Sequence, residues 1–251
     1  MEGKYIYGII ETPQDHRFGA VGIQEEEVYT LGTERLAMVV SHYSESEKNY
    51  VPSSRENMLA HQLTLEKVME EYTLLPVKFG TVAANESKIQ DLLQRREKEF
   101  LQAIREIEGK VELGLKALWK DLPSIFAEIV EENDDIKRLK QKAERRQDQS
   151  LFIEIGKMVQ EALANKKQSS AESILEVLNP TAVSTKLNAN LTDAMYLNAS
   201  FLVSKGREKE FDNLVEEIGE QYEQKVKFKY VGPLAPYNFV TLNIPPEEWE
   251  I

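Results

Sequence analysis

The sequence predicts an α+β protein of two domains, each an antiparallel sheet with helices on one face, both variants of the ferredoxin-like arrangement. Three observations predict it. The chain has 251 residues, more than a single ordinary domain of ~100–200 residues needs. Segments with the two-residue period of strands and the 3.6-residue period of helices are interleaved along it. From Gly109 onward their order is strand, helix, strand, strand, helix, strand, which is the split β-α-β pattern. The boundary is placed near residue 108. An N-terminal α+β domain over 1–108, a modified ferredoxin-like unit, precedes a C-terminal ferredoxin-like domain over 109–251, which carries a charged helical insertion at about 121–149 and a C-terminal tail.

The elements follow in order. Lys4 to Glu11 is a β-branched and aromatic run, and Val28 to Leu31 and Leu36 to His42 read as two further strands after a loop with Pro13, Gly19 and Gly22. Ser53, with Glu56 three residues on, forms a capping box that starts a helix, because serine hydroxyl and glutamate carboxylate each take an orphan backbone donor. Met58, His61, Leu65, Val68, Met69 and Tyr72 then share one stripe at 100° per residue, so the helix is amphipathic and ends near Tyr72. Leu74 to Phe79 is a short strand whose Pro76 suits an edge or a strand start. A single helix is expected from about Asn85 to Ile107, stopped by Gly109.

Val111, Leu113, Leu115, Ala117 and Trp119 alternate with Lys110, Glu112, Gly114 and Lys116, as a strand with one buried face requires. Asp121 to Gln149 is charge-dense and reads as a solvated helical excursion, with a short helix around Ile125 to Val130. A helical pattern runs from Phe152 to Leu178, with a break expected near Ser169 and Ser170 and an end at Asn179–Pro180. Thr181 to Leu187 and Ala194 to Val203 are strands, Phe211 to Tyr222 is a helix, and Val226, Phe228 and Tyr230 alternate with lysines in a last strand. Gly232 to Phe239 is a rigid, aromatic-bearing turn followed by alternating Val240, Leu242 and Ile244, and the stretch is either a turn and last strand packed on the second sheet or a binding surface, since exposed aromatics beside a strand edge suit β-augmentation. Trp249 and Ile251 in the acidic tail are either exposed or docked.

Composition narrows the chemistry. With 41% hydrophobic and 29% charged residues the chain is globular. No run approaches the ~18 apolar residues of a membrane span. The N-terminus enters an alternating pattern without a secretion leader. Cysteine is absent, which removes disulfides, thiolate nucleophiles and cysteine-ligated zinc and makes the cytoplasm the default location. A net charge of −12 repels a phosphate backbone, so nucleic acid is not an expected partner. The same charge favours solubility and discourages self-association.

No phosphate-binding, nucleophile-elbow or zinc-protease motif occurs, and Gly19 and Gly22 lack the strand-to-helix context of a nucleotide site. Only His16, His42 and His61 supply imidazoles, and none is spaced with another for a metal. His61, on the apolar helix stripe, reads as a buried histidine hydrogen-bonded across a packing interface. Acidic pairs such as Glu131–Glu132 and Glu216–Glu217 lie on charged, solvated faces. No catalytic, cofactor-binding or metal-ligating residue is assigned. The rival reading is a small-molecule enzyme on a ferredoxin-like scaffold, with Arg55, Glu56 and His61 clustered at a helix start.

Six strings carry a family resemblance: Y-I-Y-G-I-I at the N-terminus, R-E-N-x-L-x-H-Q from Arg55 to Gln62, L-P-V-K-F-G-T from Leu75 to Thr81, G-K-V-E-L-G-L-K from Gly109 to Lys116, L-N-A-S-F-L-V from Leu197 to Val203, and F-K-Y-V-G-P-L-A-P-Y-N-F-V from Phe228 to Val240. Together they resemble the GvpF/GvpL family of gas vesicle accessory proteins over nearly the whole chain. The resemblance implies two domains related to the ferredoxin-like fold. It implies a cytoplasmic, vesicle-associated protein without cofactor that acts as a minor shell component or assembly factor. The implied partners are the small hydrophobic shell protein GvpA and other gas vesicle accessory proteins, with no lipid membrane involved. The residues expected at the contact are Leu197, Asn198 and Phe201 in the fifth string and Tyr237, Asn238, Phe239 and Val240 in the sixth.

Overall fold

The computed structural model describes residues 2–44 and 51–240. The chain divides into two compact units, one running to Glu112 and resuming at Pro233, the other Leu113–Gly232. Pro233 and Leu234 end β10, and the residues after them to Val240 group with the first unit. Leu242 and Ile244 of the expected last strand, and Trp249 and Ile251 of the tail, lie outside the described residues.

The first unit comprises β1 (Glu2–Glu11), β2 (Arg17–Gly19), β3 (Val28–Gly32), β4 (Leu36–Ser44), α1 (Arg55–Met69), β5 (Leu74–Pro76), β6 (Val82–Ala83), α2 (Glu86–Arg95) and α3 (Glu97–Ile107). Its sheet has the order β2-β3-β4-β1-β5, with β6 also paired to β1. β1 and β4 pair antiparallel from Glu2↔Ser44 to Glu11↔Leu36, with an irregularity between Ile6 and Gly8. Ile6, Ile9, Met38 and Val40 pack with Ile89, Leu92, Leu93, Phe100 and Ile104 of α2 and α3. Their neighbours Tyr5, Tyr7, Ala37 and Val39 pack instead with Leu65 and Val68 of α1. The α+β class with antiparallel sheets is as expected, but in this unit helices cover both faces rather than one. The physical reason is visible in β1 and β4 themselves, whose middle stretches, Tyr5 to Ile10 and Leu36 to Val40, are buried at every position and so leave neither face to water.

In the second unit β7 (Lys110–Trp119) is followed by α4 (Leu122–Glu132), α5 (Asp134–Arg146), α6 (Gln149–Leu178), β8 (Ser184–Leu187), β9 (Met195–Ser204), α7 (Glu208–Gln221) and β10 (Val226–Leu234). The sheet order β10-β7-β9-β8 places the four strands as 4-1-3-2, the ferredoxin-like topology. Phe201 of β9 meets Phe211 of α7 with ring centroids 5.0 Å apart. The charged excursion is α4 and α5, each holding only two buried side chains, Ile125 and Ile129 in one and Ile136 and Ala143 in the other. Lys166 of α6 ties α4 down through Glu128 and Glu132. α6 runs unbroken for 30 residues. Ser169 and Ser173 return their hydroxyls to the carbonyls of Lys166 and Ser169, so the serines stay within the helix instead of ending it.

Local chemistry explains the remaining departures. The expected helix from Asn85 to Ile107 turns a corner at Arg96 (φ −112°, ψ 18°), dividing α2 from α3. There the guanidinium binds both oxygens of Glu99 and lies 5.4 Å from the ring of Phe100. Gly109 ends α3 at φ +67°, a conformation that glycine adopts without strain. β5 stops at Pro76 on the sheet edge instead of reaching Phe79. α1 stops at Met69, and its cap is Ser54, whose hydroxyl accepts from the Asn57 N–H at 3.2 Å, rather than Ser53. A Ser54→Ala variant should therefore lose ~1 kcal/mol in urea unfolding while Ser53→Ala stays near wild type; the reverse ranking would return the cap to Ser53.

Candidate functional site

Tyr5 leaves the middle of β1 on the face covered by α1 and is fully buried, so its hydroxyl must find a partner there. That partner is His61, one of the four buried residues of α1, with Tyr5 Oη 2.9 Å from Nδ1. The other imidazole nitrogen, Nε2, is 2.7 Å from Tyr237 Oη. Tyr237 in turn donates to the carbonyl of Val77 at 3.1 Å, and Tyr5 Oη accepts the N–H of Gly80 at 3.0 Å. One proton arrangement satisfies every group: Tyr5 donates to Nδ1, Nε2–H donates to Tyr237, and Tyr237 donates to Val77. The chain links strand, helix, the 77–80 loop and the returning C-terminal segment. It is the histidine bridging packed elements that the sequence leads one to expect.

Aromatic packing surrounds it. The His61 ring stacks on Tyr7 at 5.5 Å and meets Phe79 edge-on at 5.5 Å. Tyr7 bonds Ser41 and accepts the N–H of Ile23 at 2.8 Å. Gly22 stands where it does because a Cβ there would come within 2.8 Å of the Tyr7 hydroxyl and 2.7 Å of the Glu26 carbonyl. Gly22 is thus a packing glycine.

Beside this network lies an open cleft of about 410 Å³, lined by Met58, His61, Gln62, Pro76, Lys78, Phe79, Tyr237 and Val240. Met58, Leu59 and Leu63 of α1 are 54%, 55% and 50% exposed. Met58 is thus not part of the core stripe, and Leu59 and Leu63, one turn apart, form an apolar ridge on the water side of the helix. The sequence signal for this ridge is present as two leucines off the buried stripe.

Of the expected contact residues, the structure brings Tyr237, Asn238, Phe239 and Val240 to this region and separates the others. Tyr237 is 37% exposed, and Val240 lines the cleft while packing on the α2–α3 side core. Asn238 is held by Glu112, which accepts from its backbone N–H at 2.9 Å and its side-chain amide at 2.5 Å. Glu112, on the nominally polar side of β7, is 3% exposed for this reason. Leu197 and Phe201 are 1% and 0% exposed in β9, so they are core residues and offer no binding surface. Asn198 beside them donates to the carbonyl of Ala189 at 2.8 Å. A strand with apolar residues on both faces hides them in a way that a family string does not reveal.

The rival Arg55–Glu56–His61 constellation is not assembled, since Arg55 and Glu56 are exposed and do not line the cleft. Among the described residues no group of three His, Asp or Glu side chains is placed to hold a metal ion, and no helix is long and apolar enough to cross a membrane. Burial raises Tyr5 and Tyr237 well above the usual phenol range and lowers His61 from 6.5 to about 4. The imidazole is therefore neutral at pH 7, with both nitrogens engaged. The unfolded chain takes up a proton at His61 below pH 6.5 and the folded chain does not until about pH 4. Stability from this group is complete above pH 6.5 and declines as pH falls through that window, by roughly 3 kcal/mol at its lower end. Urea titrations at successive pH values should show this slope in wild type and a clearly shallower one in His61→Gln; equal slopes would contradict a buried neutral imidazole.

The sequence profile described as gas vesicle synthesis protein GvpL/GvpF matches residues 3–241. Gas vesicle protein F of Nostoc sp. is 27% identical over 248 residues, covering 96% of this chain and 99% of that protein. Gas vesicle protein F1 of Halobacterium salinarum is 26% identical, covering 98% and 97% respectively. The crystal structure of gas vesicle protein GvpF from Microcystis aeruginosa aligns with a TM-score of 0.82 at 26% identity, over 96% of this chain and 99% of that one. A match that spans both units and all six sequence strings makes the chain a member of the GvpL/GvpF family of gas vesicle synthesis proteins.

Proposed function

We propose that this protein is a non-enzymatic accessory protein of the gas vesicle, a minor shell component or assembly factor, and that it binds the hydrophobic shell protein GvpA through the α1 cleft of its first unit. The observation that carries this reading is the cleft together with its exposed rim. Met58, Leu59 and Leu63 present apolar surface next to a concavity floored by Pro76, Phe79 and Val240. An apolar side chain of a partner gains by leaving water there. Tyr5, His61 and Tyr237 are already bonded to one another and Gln62 to Glu66, so an incoming apolar group strands none of these, and the ammonium of the exposed Lys78 stays at the solvent side.

The acidic exterior supports the same role. A chain of net charge −12 that holds an apolar subunit in a local cleft keeps the pair dispersed, which suits delivery of a sticky subunit to a growing shell. Tyr237 and Val240 remain in the proposal as the C-terminal wall of the cleft, with Asn238 and Phe239 as the segment between them, and Leu197, Asn198 and Phe201 drop out of it.

The test is capture of GvpA by the folded protein and by Leu59→Asp/Leu63→Asp, two exposed positions whose change leaves the core intact. Capture is expected to weaken about tenfold or more, equivalent to ~1.4 kcal/mol or above. Undiminished capture by a variant with unchanged circular dichroism removes the α1 ridge from the mechanism, and the same outcome for Met58→Asp, in the cleft lining, removes the cleft. Deletion of the gene should reduce or abolish vesicles under the microscope, and normal vesicles in its absence would overturn the accessory role itself.

A further inference from the structure

The second unit presents a strand edge that the gas vesicle reading leaves unused. β8 ends its sheet, and among the described residues no strand pairs with its outer side. Such an edge offers unpaired backbone donors and acceptors and is ordinarily blunted by charge, proline or a covering element. Here Val183, Leu187 and Leu191 are 55%, 62% and 70% exposed. Residues 183–192 contain no proline and one charge, Lys186.

The pattern along β8 is self-complementary. Thr185 and Leu187 lie opposite Phe201 and Ala199 of β9, hence on one face of the sheet, and Val183 precedes the strand with its N–H on the Leu202 carbonyl. Two β8 strands laid antiparallel about an axis through Thr185 place Thr185 opposite Thr185, with Leu187 of each beyond the start of the other, where the Val183 N–H is already donated to Leu202 of β9. In that register Lys186 faces Ser184 and never its own copy, so no like charges oppose one another. Elsewhere a chain of net charge −12 repels itself, and this acid-free edge is where two copies can approach.

We propose that β8 pairs with β8 of a second copy of this chain, joining the two four-stranded sheets into one continuous sheet through a symmetric interface centred on Thr185. Such a contact buries little area, so the dimer is weak and concentration-dependent. It also strengthens with salt, because screening relieves the mutual repulsion of the acidic bodies while backbone pairing is unaffected. An interface made of ion pairs responds to salt in the opposite direction.

The experiment uses the full chain and sedimentation velocity over a range of protein concentrations at low and high sodium chloride. A monomer–dimer equilibrium favoured by salt is expected, weakened about tenfold or more in Thr185→Pro, which removes the central N–H. Because the chain contains no cysteine, single-cysteine variants test the register independently of that proline. Thr185→Cys should form a disulfide-linked dimer on mild oxidation, whereas Ser184→Cys and Lys186→Cys should cross-link when mixed and much less when alone. A wild type that stays monomeric at every concentration and salt, or cross-linking in which Thr185→Cys has no advantage, overturns the proposal. So does a dimer that survives Thr185→Pro, which places the contact elsewhere. Binding of a foreign valine–threonine peptide along β8 by a strictly monomeric chain assigns the edge to another strand and likewise overturns it. Every readout here is independent of GvpA and of the α1 cleft.

Discussion

The first unit is organised by a strand that water cannot touch on either side. β1 pairs with β4, β5 and β6, and its residues alternate between two cores, Ile6 and Ile9 facing α2 and α3 while Tyr5, Tyr7 and Ile10 face α1. A sheet buried on both faces requires a layer of helices on each, which sets the three-layer build of the unit. It also brings a phenol to a place without solvent. Tyr5 cannot stay unbonded there, and that need selects His61 on α1, which in turn selects Tyr237 on the returning segment.

Satisfaction of those polar groups decides what the region is suited to do. A general base needs a nitrogen free to take a proton near neutral pH, and the His61 ring has neither a free nitrogen nor a suitable affinity for the proton. Much of what remains accessible is apolar: Met58, Leu59 and Leu63 on the helix, with the partly buried Phe79 and Val240 in the cleft lining beside the exposed Lys78. Such a surface recognises shape and greasiness more than functional groups, which accords with membership in a family of gas vesicle synthesis proteins.

The second unit spends its apolar residues differently. The ferredoxin-like order places β7 and β9 in the middle of the sheet and leaves β8 and β10 at its borders. Leu197 and Phe201 are consumed by the core, while Leu187 of the border strand β8 and Val183 just before it stay in contact with water. The helical insertion contributes a long α6 with α4 and α5 fastened to it by narrow apolar seams and by Lys166, so the charge density there describes a solvated exterior.

The sequence by itself determined the order and type of nearly every element, because periodicity and punctuating residues such as Gly109 and Asn179–Pro180 act within a few neighbours. It also marked His61 as a buried histidine, since an imidazole on an apolar stripe has few other fates. Only the tertiary structure decided which side chains share a site. Glu112 and Asn238 are 126 positions apart, as Tyr237 is 176 from His61, and no local pattern reports contacts over such separations. Nor does local pattern distinguish a strand buried on one face from one buried on two when both read as apolar runs, which is why helices on both sides of β1, and the burial of Leu197 and Phe201, emerged only once the sheets were assembled.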